Sequence, residues 1–307
     1  MASRSDGNGT ALVTGASGFT GRHVCDALRK VGYAVHRWTH EAEDPADSRV
    51  VDITDRKQVH DAVRELSPDY VVHLAAISFV GHGDVDAIYR VNVVGTRNLL
   101  EGLASLPGPP RKVLLASSAN IYGSAGGVLD EATPPSPQND YAISKLAMEY
   151  MARLWMDKLD ITITRPFNYT GVGQSEKFLL PKIVSHFRRG AEVIELGNLD
   201  VWREFNDVRD VAGSYVRLLE ADASGETFNI CSGTEYSLRE VVRRMGDIAG
   251  REIEVRVNPD FVRANEVERL RGDAGKVTAL LGKTATHPLA DTLRWMYESP
   301  GFPLELR

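Results

Sequence analysis

The sequence predicts an α/β protein: a doubly wound parallel sheet with a smaller C-terminal domain built from separated segments. Three observations carry this reading. Short apolar runs alternate with helical patterns through the first half of the chain, the mark of successive βαβ units. The first apolar run opens into Gly15-Ala16-Ser17-Gly18-Phe19-Thr20-Gly21, and a helical pattern follows at once. After Arg165 the rhythm changes, and Pro166 to Lys177 is rich in Gly, Asn and Tyr.

The elements follow in order. Ala11 to Thr14 reads as a strand. Gly21 to Val31 reads as a helix, with His23, Val24, Ala27, Leu28 and Val31 at helical spacing. Strands are expected at Ala34 to Trp38, from Val50, at Tyr70 to Leu74, Lys112 to Ser117 and Ile161 to Arg165. Helices are expected at Gln58 to Leu66, Ile88 to Leu103 and Tyr141 to Lys158. Right-handed crossovers then wind the chain over both faces of the sheet. Further helices are expected at Leu179 to Arg189, Val208 to Leu219 and Leu238 to Ala249, and Thr227 to Ile230 is a strand returning to the main sheet. The expected division is residues 1–166, with about 206–232 returning, against about 167–205 and 233–307. The second set lies over the C-terminal edge of the sheet, where open α/β sheets bind ligands.

Composition narrows the function. The chain has 307 residues and a net charge of -6, which argues against nucleic acid as a partner. Hydrophobic residues at 43% provide for a sizeable core, yet there is no apolar run long enough to span a membrane. Met1 to Asn8 is polar and lacks the apolar stretch of a secretory signal. Cys25 and Cys231 form no C-x-x-C pair and no metal spacing, so a reduced, cytoplasmic protein is expected.

The glycine loop has the spacing G-x-x-G-x-x-G, a variant of the dinucleotide fingerprint. One glycine allows the tight turn, another lets backbone approach a pyrophosphate, and the third lets helix pack on strand. The helix N-terminus then offers free N–H groups to the anion. Gly15, Ser17, Gly18, Phe19, Thr20 and Gly21 are therefore candidate cofactor contacts in a Rossmann-type sheet. The second strand ends in Val35-His36-Arg37-Trp38-Thr39-His40, with no carboxylate for a ribose 2′-hydroxyl. Arg37 or His40 would meet a 2′-phosphate, so NADP(H) is favoured over NAD(H); the alternative makes Arg37 a solvated surface charge. Asp52, next to Ile53, would accept from the adenine amino group or act as an N-cap, a role that suits Thr54 or Asp55 better.

Tyr141 and Lys145 stand four apart in a helical segment, hence on one face. Tyrosine has a pKa near 10 and needs a nearby ammonium to exchange protons at neutral pH. Ser118 follows the fifth strand and would bind a substrate carbonyl oxygen beside Tyr141. With the glycine loop, this set describes a hydride-transfer site.

These motifs resemble the extended short-chain dehydrogenase/reductase family, whose members act mainly on nucleotide sugars. The resemblance runs over nearly the whole chain. It includes His73-Leu74-Ala75-Ala76, Asn92-Val93-Val94-Gly95-Thr96, Ser117-Ser118, Tyr122-Gly123, Tyr141-Ala142-Ile143-Ser144-Lys145 and Arg165-Pro166-Phe167-Asn168. Within the family, Asn168 to Gln174, Arg203-Glu204-Phe205, Asn229 to Gly233 and Arg263 to Val267 are most similar to members acting on GDP-linked 6-deoxymannose derivatives.

The resemblance implies catalysis by Ser118, Tyr141 and Lys145. It adds Leu74, Ala75, Ala76, Asn92 and Pro166 to the cofactor site. It implies a GDP-sugar substrate held by Ser118, Asn168, Lys182, Arg203, Arg263 and Glu266. Asn92 would support the site or bind backbone within its own helix. A homodimer is implied through the Ile88 and Tyr141 helices, whose apolar residues would equally suit a core. The family's 4,6-dehydratases carry a glutamate two residues before the tyrosine of the Tyr-Gly pair; here Ala119-Asn120 stands instead, and neither exchanges a proton. The expectation is therefore reduction of the C4 ketone of a GDP-linked 4-keto-6-deoxy sugar, with a 4-epimerase, a dehydratase or a non-catalytic dinucleotide sensor as alternatives.

Overall fold

The computed structural model describes residues 8–41, 48–78, 83–261, 268–283 and 286–300. Strands β1 (Thr10–Thr14), β2 (Ala34–Thr39), β3 (Ser48–Val50), β4 (Tyr70–His73), β5 (Lys112–Ala116), β6 (Ile161–Pro166) and β7 (Thr227–Ile230) form one sheet. Its order is β7-β6-β5-β4-β1-β2-β3, and each adjacent pair is parallel. The central strands β4, β5 and β6 are buried almost throughout, as strands covered on both faces are.

Helices α1 (Phe19–Lys30) and α5 (Val208–Glu220) cover one face with Val24, Cys25, Leu28, Val211, Tyr215 and Leu218. Helices α2 (Arg56–Leu66), α3 (Thr96–Ala104) and α4 (Asp140–Arg153) cover the other with Val59, Val63, Leu99, Leu103, Met148 and Ala152. The sheet is doubly wound, as the sequence predicts. Strand order reverses between β1 and β4, which opens a crevice at their C-terminal ends.

Two helices differ from expectation. The long helix over Ile88 to Leu103 is three pieces: an α-helical turn Val85–Tyr89, a π-helical segment Arg90–Gly95, and α3. The wider π turn brings Asn92 and Thr96 inward together, and Thr96 Oγ1 donates to the Asn92 carbonyl at 2.8 Å. Such bulges frequently mark functional positions. The helix expected to reach Lys158 ends at Arg153, and the chain closes it with i→i−3 bonds at Leu154 and Trp155.

The remaining elements build a second unit. Its sheet runs Glu235–Ser237, Trp202–Glu204, Arg269–Gly272, Gly127–Leu129. Its core joins helices Leu179–Arg188, Leu238–Ala249 and Leu289–Glu298 through Ile183, Phe187, Val241, Met245, Leu293 and Met296. Gly127–Leu129 lies well before residue 166, yet it pairs with Arg269–Gly272. Three residues are too few to show a period in sequence, so this crossing of the boundary is invisible there.

A buried polar network ties the two units. Arg165 on β6 makes a two-pronged ion pair with Glu149 on α4, Nε–Oε1 at 3.0 Å and Nη2–Oε2 at 2.7 Å. The same guanidinium donates to the Tyr122 hydroxyl, which donates to Asn229 Oδ1 on β7. Asn229 in turn donates to the Leu129 carbonyl in the second sheet at 2.9 Å. Arg165 and Glu149 are 5% and 1% exposed, so removing one charge leaves the other buried and uncompensated. Glu149→Gln is expected to cost about 3–5 kcal/mol of stability. Urea unfolding with an unchanged m-value would read this, and a loss within error would show that the pair carries little.

A candidate active site at the crevice of the sheet

The glycine loop leaves β1 at its C-terminal end. Gly15 has φ +65°, and a Cβ there would lie 2.8 Å from the Ala75 backbone. Gly21 faces the Gly15 carbonyl so closely that a Cβ would collide with it. Only glycine lets the β1 turn, the β4 exit and the start of α1 meet. The first turn of α1 begins at Gly18 with no side-chain cap and no acidic residue. Its N–H groups and dipole thus suit an anion, and the cradle fits the diphosphate of a dinucleotide.

The walls of this cradle are fixed by polar groups. Thr14 Oγ1 accepts from the Leu74 and Ala75 N–H groups at 3.2 Å each. The same hydroxyl meets His73 Nδ1 at 2.7 Å, and His73 Nε2 meets Thr96 Oγ1 at 2.8 Å. Because Thr96 spends its proton on the Asn92 carbonyl, His73 must donate from Nε2 and accept Thr14 at Nδ1. Burial lowers His73 to about 3, with the nearby Lys145 charge in the same direction, so the ring is neutral as this network requires. Asn92 then clasps both backbone groups of Ile77, at 2.8 and 3.1 Å, and donates to Ser144 Oγ at 2.9 Å. It holds the β4 exit against α4 and not its own helix.

The expected catalytic set converges. Ser118 caps the 3₁₀ turn Ala119–Tyr122 that follows β5, and Tyr141 and Lys145 lie on the first turns of α4. All three are below 9% exposed. Ser118 stands near enough to Tyr141 to pull its pKa down. Lys145 Nζ donates to the Ala116 carbonyl at 2.8 Å and lies 6.0 Å from the Tyr141 ring centre. Burial raises the Tyr141 pKa, against the pull of Ser118, and lowers Lys145 to about 8, against the pull of Glu149. Lowering of the phenol by Lys145 is absent from this arrangement, because desolvation dominates and the ammonium is turned to a carbonyl. A neutral phenol is a proton donor.

The other predicted residues sort themselves by what they touch. Phe19 stacks on Tyr169 at 6.0 Å, and Thr20 Oγ1 bonds the Tyr169 hydroxyl at 2.7 Å. Ser17 and Gly18 remain in the turn. Arg37 is 8% exposed, so it is not a solvated surface charge. Asp52 Oδ1 accepts from Thr54 N and Oγ1, at 2.8 Å each, while Asp55 caps α2. Ile53 packs under Gly95. Ala76 follows the fixed β4 exit, and Pro166 closes β6 opposite Ile230. The Asn168 carbonyl accepts both the backbone and side-chain N–H of Asn206, leaving its own side chain exposed. Arg203 donates to the Trp202 and Glu268 carbonyls in the second sheet. The Lys182 ammonium donates to the Glu195 carbonyl at 2.8 Å over the Phe261 ring. Arg263 and Glu266 lie outside the described residues.

A family model described as the NAD dependent epimerase/dehydratase family matches residues 11–231. The chain belongs to this family. A GDP-6-deoxy-D-talose 4-dehydrogenase of Aggregatibacter actinomycetemcomitans is 36% identical over 88% of this chain and 90% of its own length. A GDP-6-deoxy-D-mannose reductase of Pseudomonas aeruginosa is 32% identical over 92% and 94%. The crystal structure of a Burkholderia cenocepacia J2315 protein provisionally called an epimerase is 49% identical, with TM-score 0.91 over 96% of this chain and 98% of that one. The RMD structure from Pseudomonas aeruginosa, complexed with NADPH, is 30% identical, with TM-score 0.83 over 94% and 98%.

In this epimerase/dehydratase family chain, the predicted site residues left out Thr14, His73, Thr96 and Tyr169. His73 stands in a motif that the resemblance uses, but its partners are 59 and 23 residues away, beyond any local pattern. Among the described residues no group of His, Cys, Asp and Glu forms a metal site, and no helix is long and apolar enough to cross a membrane.

The neutral His73 has a consequence for stability. Between its ordinary 6.5 and its folded value of about 3, the unfolded chain binds a proton that the folded chain does not. Stability therefore falls as pH falls through that window, by about 1.4 kcal/mol per pH unit for this group. Glu101, held down to about 2 chiefly by Arg56, acts in the same sense but is untouched by a change at His73. His73→Gln should reduce the slope by one proton between about pH 4.5 and 6 in urea unfolding. Equal slopes would place a titrating imidazole in the folded state.

Proposed function

We propose that this chain reduces the C4 ketone of a GDP-linked 4-keto-6-deoxy sugar, hexose or heptose, with NADPH. The observation that carries the reading is the buried, neutral phenol of Tyr141, with buried Ser118 beside it and Lys145 one helical turn away at the crevice. Similarity to a GDP-6-deoxy-sugar 4-dehydrogenase and a reductase supports the GDP-sugar class, and similarity to an NADPH complex supports the cofactor. NAD(H) is the second choice.

Gly15, Ser17, Gly18, Phe19, Thr20 and Gly21 would hold the cofactor diphosphate at the start of α1. Arg37 would meet the 2′-phosphate, Asp52 and Ile53 the adenine, and Leu74, Ala75, Ala76 and Pro166 the remainder. When bound, NADPH supplies the hydride that goes to C4. Ser118 orients the carbonyl through its O–H. Tyr141 gives its phenolic proton to the developing alkoxide. Lys145, with a pKa near 8, carries its charge at neutral pH and balances the phenolate left behind. Asn168 and Arg203 would meet the nucleotide diphosphate, with Arg263 and Glu266 assigned by sequence alone. Ala119 and Asn120 provide no acid or base for elimination, which separates this reading from a dehydratase. A 4-epimerase is the second reading, favoured by the 49% identical structure.

We also propose a homodimer through α4 and the segment before α3. Ile143, Tyr150 and Leu154 are 42%, 55% and 75% exposed, and Val94 is 45% exposed, which is costly for a lone subunit.

Tyr141→Phe removes the proton donor and little volume. Its turnover of GDP-4-keto-6-deoxymannose, followed by NADPH absorbance, should fall by at least about 100-fold with the fold unchanged by circular dichroism. Full activity in this variant would sink the scheme. Consumption of no NADPH by wild type, with interconversion of C4 epimers instead, would select the epimerase.

A further inference from the structure

The first turn of α1 faces the anion cradle with its free N–H groups. The same turn grips the segment that follows Asn168. Tyr169 and Thr170 form a two-residue strand parallel to Asn206–Asp207. Asn206 fixes the start of that strand through the Asn168 carbonyl. Gln174 fixes the strand itself, accepting from Thr170 Oγ1 at 2.7 Å and donating to the Tyr169 carbonyl at 3.3 Å. Three contacts run from this segment to α1. The Tyr169 ring lies within 15° of parallel to Phe19, with centres 6.0 Å apart. The Tyr169 hydroxyl meets Thr20 Oγ1 at 2.7 Å. His23 Nε2 donates to the Val172 carbonyl at 2.9 Å. Phe19 to His23 is about one helical turn, so the turn that would hold one diphosphate is tied to the strand beside the residue that would hold the other.

We propose that Tyr169 is a positioning residue that couples the cofactor site to the nucleoside-diphosphate site, so that each ligand binds more tightly when the other is present. A dinucleotide diphosphate favours an ordered first turn of α1. A sugar nucleotide's diphosphate favours a seated strand, because Asn168 leads into it. The contacts of Tyr169 need both segments in place, so ordering one prepares the other. The hydroxyl pair suits this role. Either oxygen can donate here, and each has one proton. An anion that takes the Thr20 proton leaves Tyr169 as the donor between them, and linked hydrogen bonds strengthen one another. The role rests on the nucleotide-sugar reading of this site.

The test is calorimetric titration of GDP into wild type, Tyr169→Phe and Thr20→Val, each with and without saturating NADP+, with circular dichroism to check the fold. In wild type, NADP+ should tighten GDP binding about tenfold. Tyr169→Phe keeps the stacked ring and loses one hydrogen bond, so the gain should shrink to about twofold, with GDP affinity in the absence of NADP+ unchanged. Thr20→Val removes the same bond from the other side and should lose the same gain. The double variant should lose no more than either single one. No gain in wild type, or a gain as large as wild type in either variant, overturns the proposal. GDP affinity lowered in Tyr169→Phe by one factor with and without NADP+ also overturns it, because a merely structural tyrosine gives that result. Wild type that binds UDP and not GDP overturns the GDP reading alone, and the same gains are then read with UDP. Wild type that binds neither nucleotide overturns both.

Discussion

The crevice exists because two backbone turns can approach within van der Waals reach. One leaves β1 and the other leaves β4, and the side chain missing at Gly15 is what allows them to meet. Steric permission is only half of the requirement, because close backbones also bring polar groups out of water. Thr14 answers that need with one hydroxyl, which accepts two N–H groups and donates to His73. The imidazole relays the order to Thr96 at the start of α3 and to Asn92 in the π segment, and Asn92 passes it to α4 through Ser144. A chain of five residues thus connects the anion cradle to the helix bearing Tyr141 and Lys145. Each member has one arrangement of donors and acceptors, so the network specifies geometry as well as stability.

The electrostatics of the site follow from burial more than from pairs of charges. Desolvation is the largest cause of the shifts at Tyr141, Lys145 and His73 alike. It keeps the phenol protonated, weakens the hold of the ammonium on its proton, and holds the imidazole neutral. For the proposed reduction this is a suitable resting state, because the acid is loaded and a cation is at hand to balance its conjugate phenolate.

Much of this was legible in the sequence. The parallel order, the glycine turn, the one-face spacing of Tyr141 and Lys145, and the return of β7 all rest on local patterns or on short motifs. The helix over Ile88 to Leu103 was misread because a π insertion changes the period by one residue while keeping the apolar content. Gly127–Leu129 was assigned to the first unit because three residues carry no periodicity. The surroundings of Lys182 and Arg37 were illegible for another reason. A cation in sequence looks the same whether it ends on a carbonyl, is buried, or stands in solvent. The Thr14–His73–Thr96 relay depends on separations that no window of sequence spans.

The contact between Thr20 and Tyr169 joins groups 149 residues apart, and His23 adds the Val172 carbonyl and the Trp295 ring. The start of α1 is therefore braced by parts of the chain that emerge from the ribosome much later. During synthesis, the glycine loop is among the first segments made and among the last to be secured. Its closure is a long-range event of the kind that slows folding. A fragment ending after β5 would hold the motif that looks most like a nucleotide site, without the brace that keeps it in place.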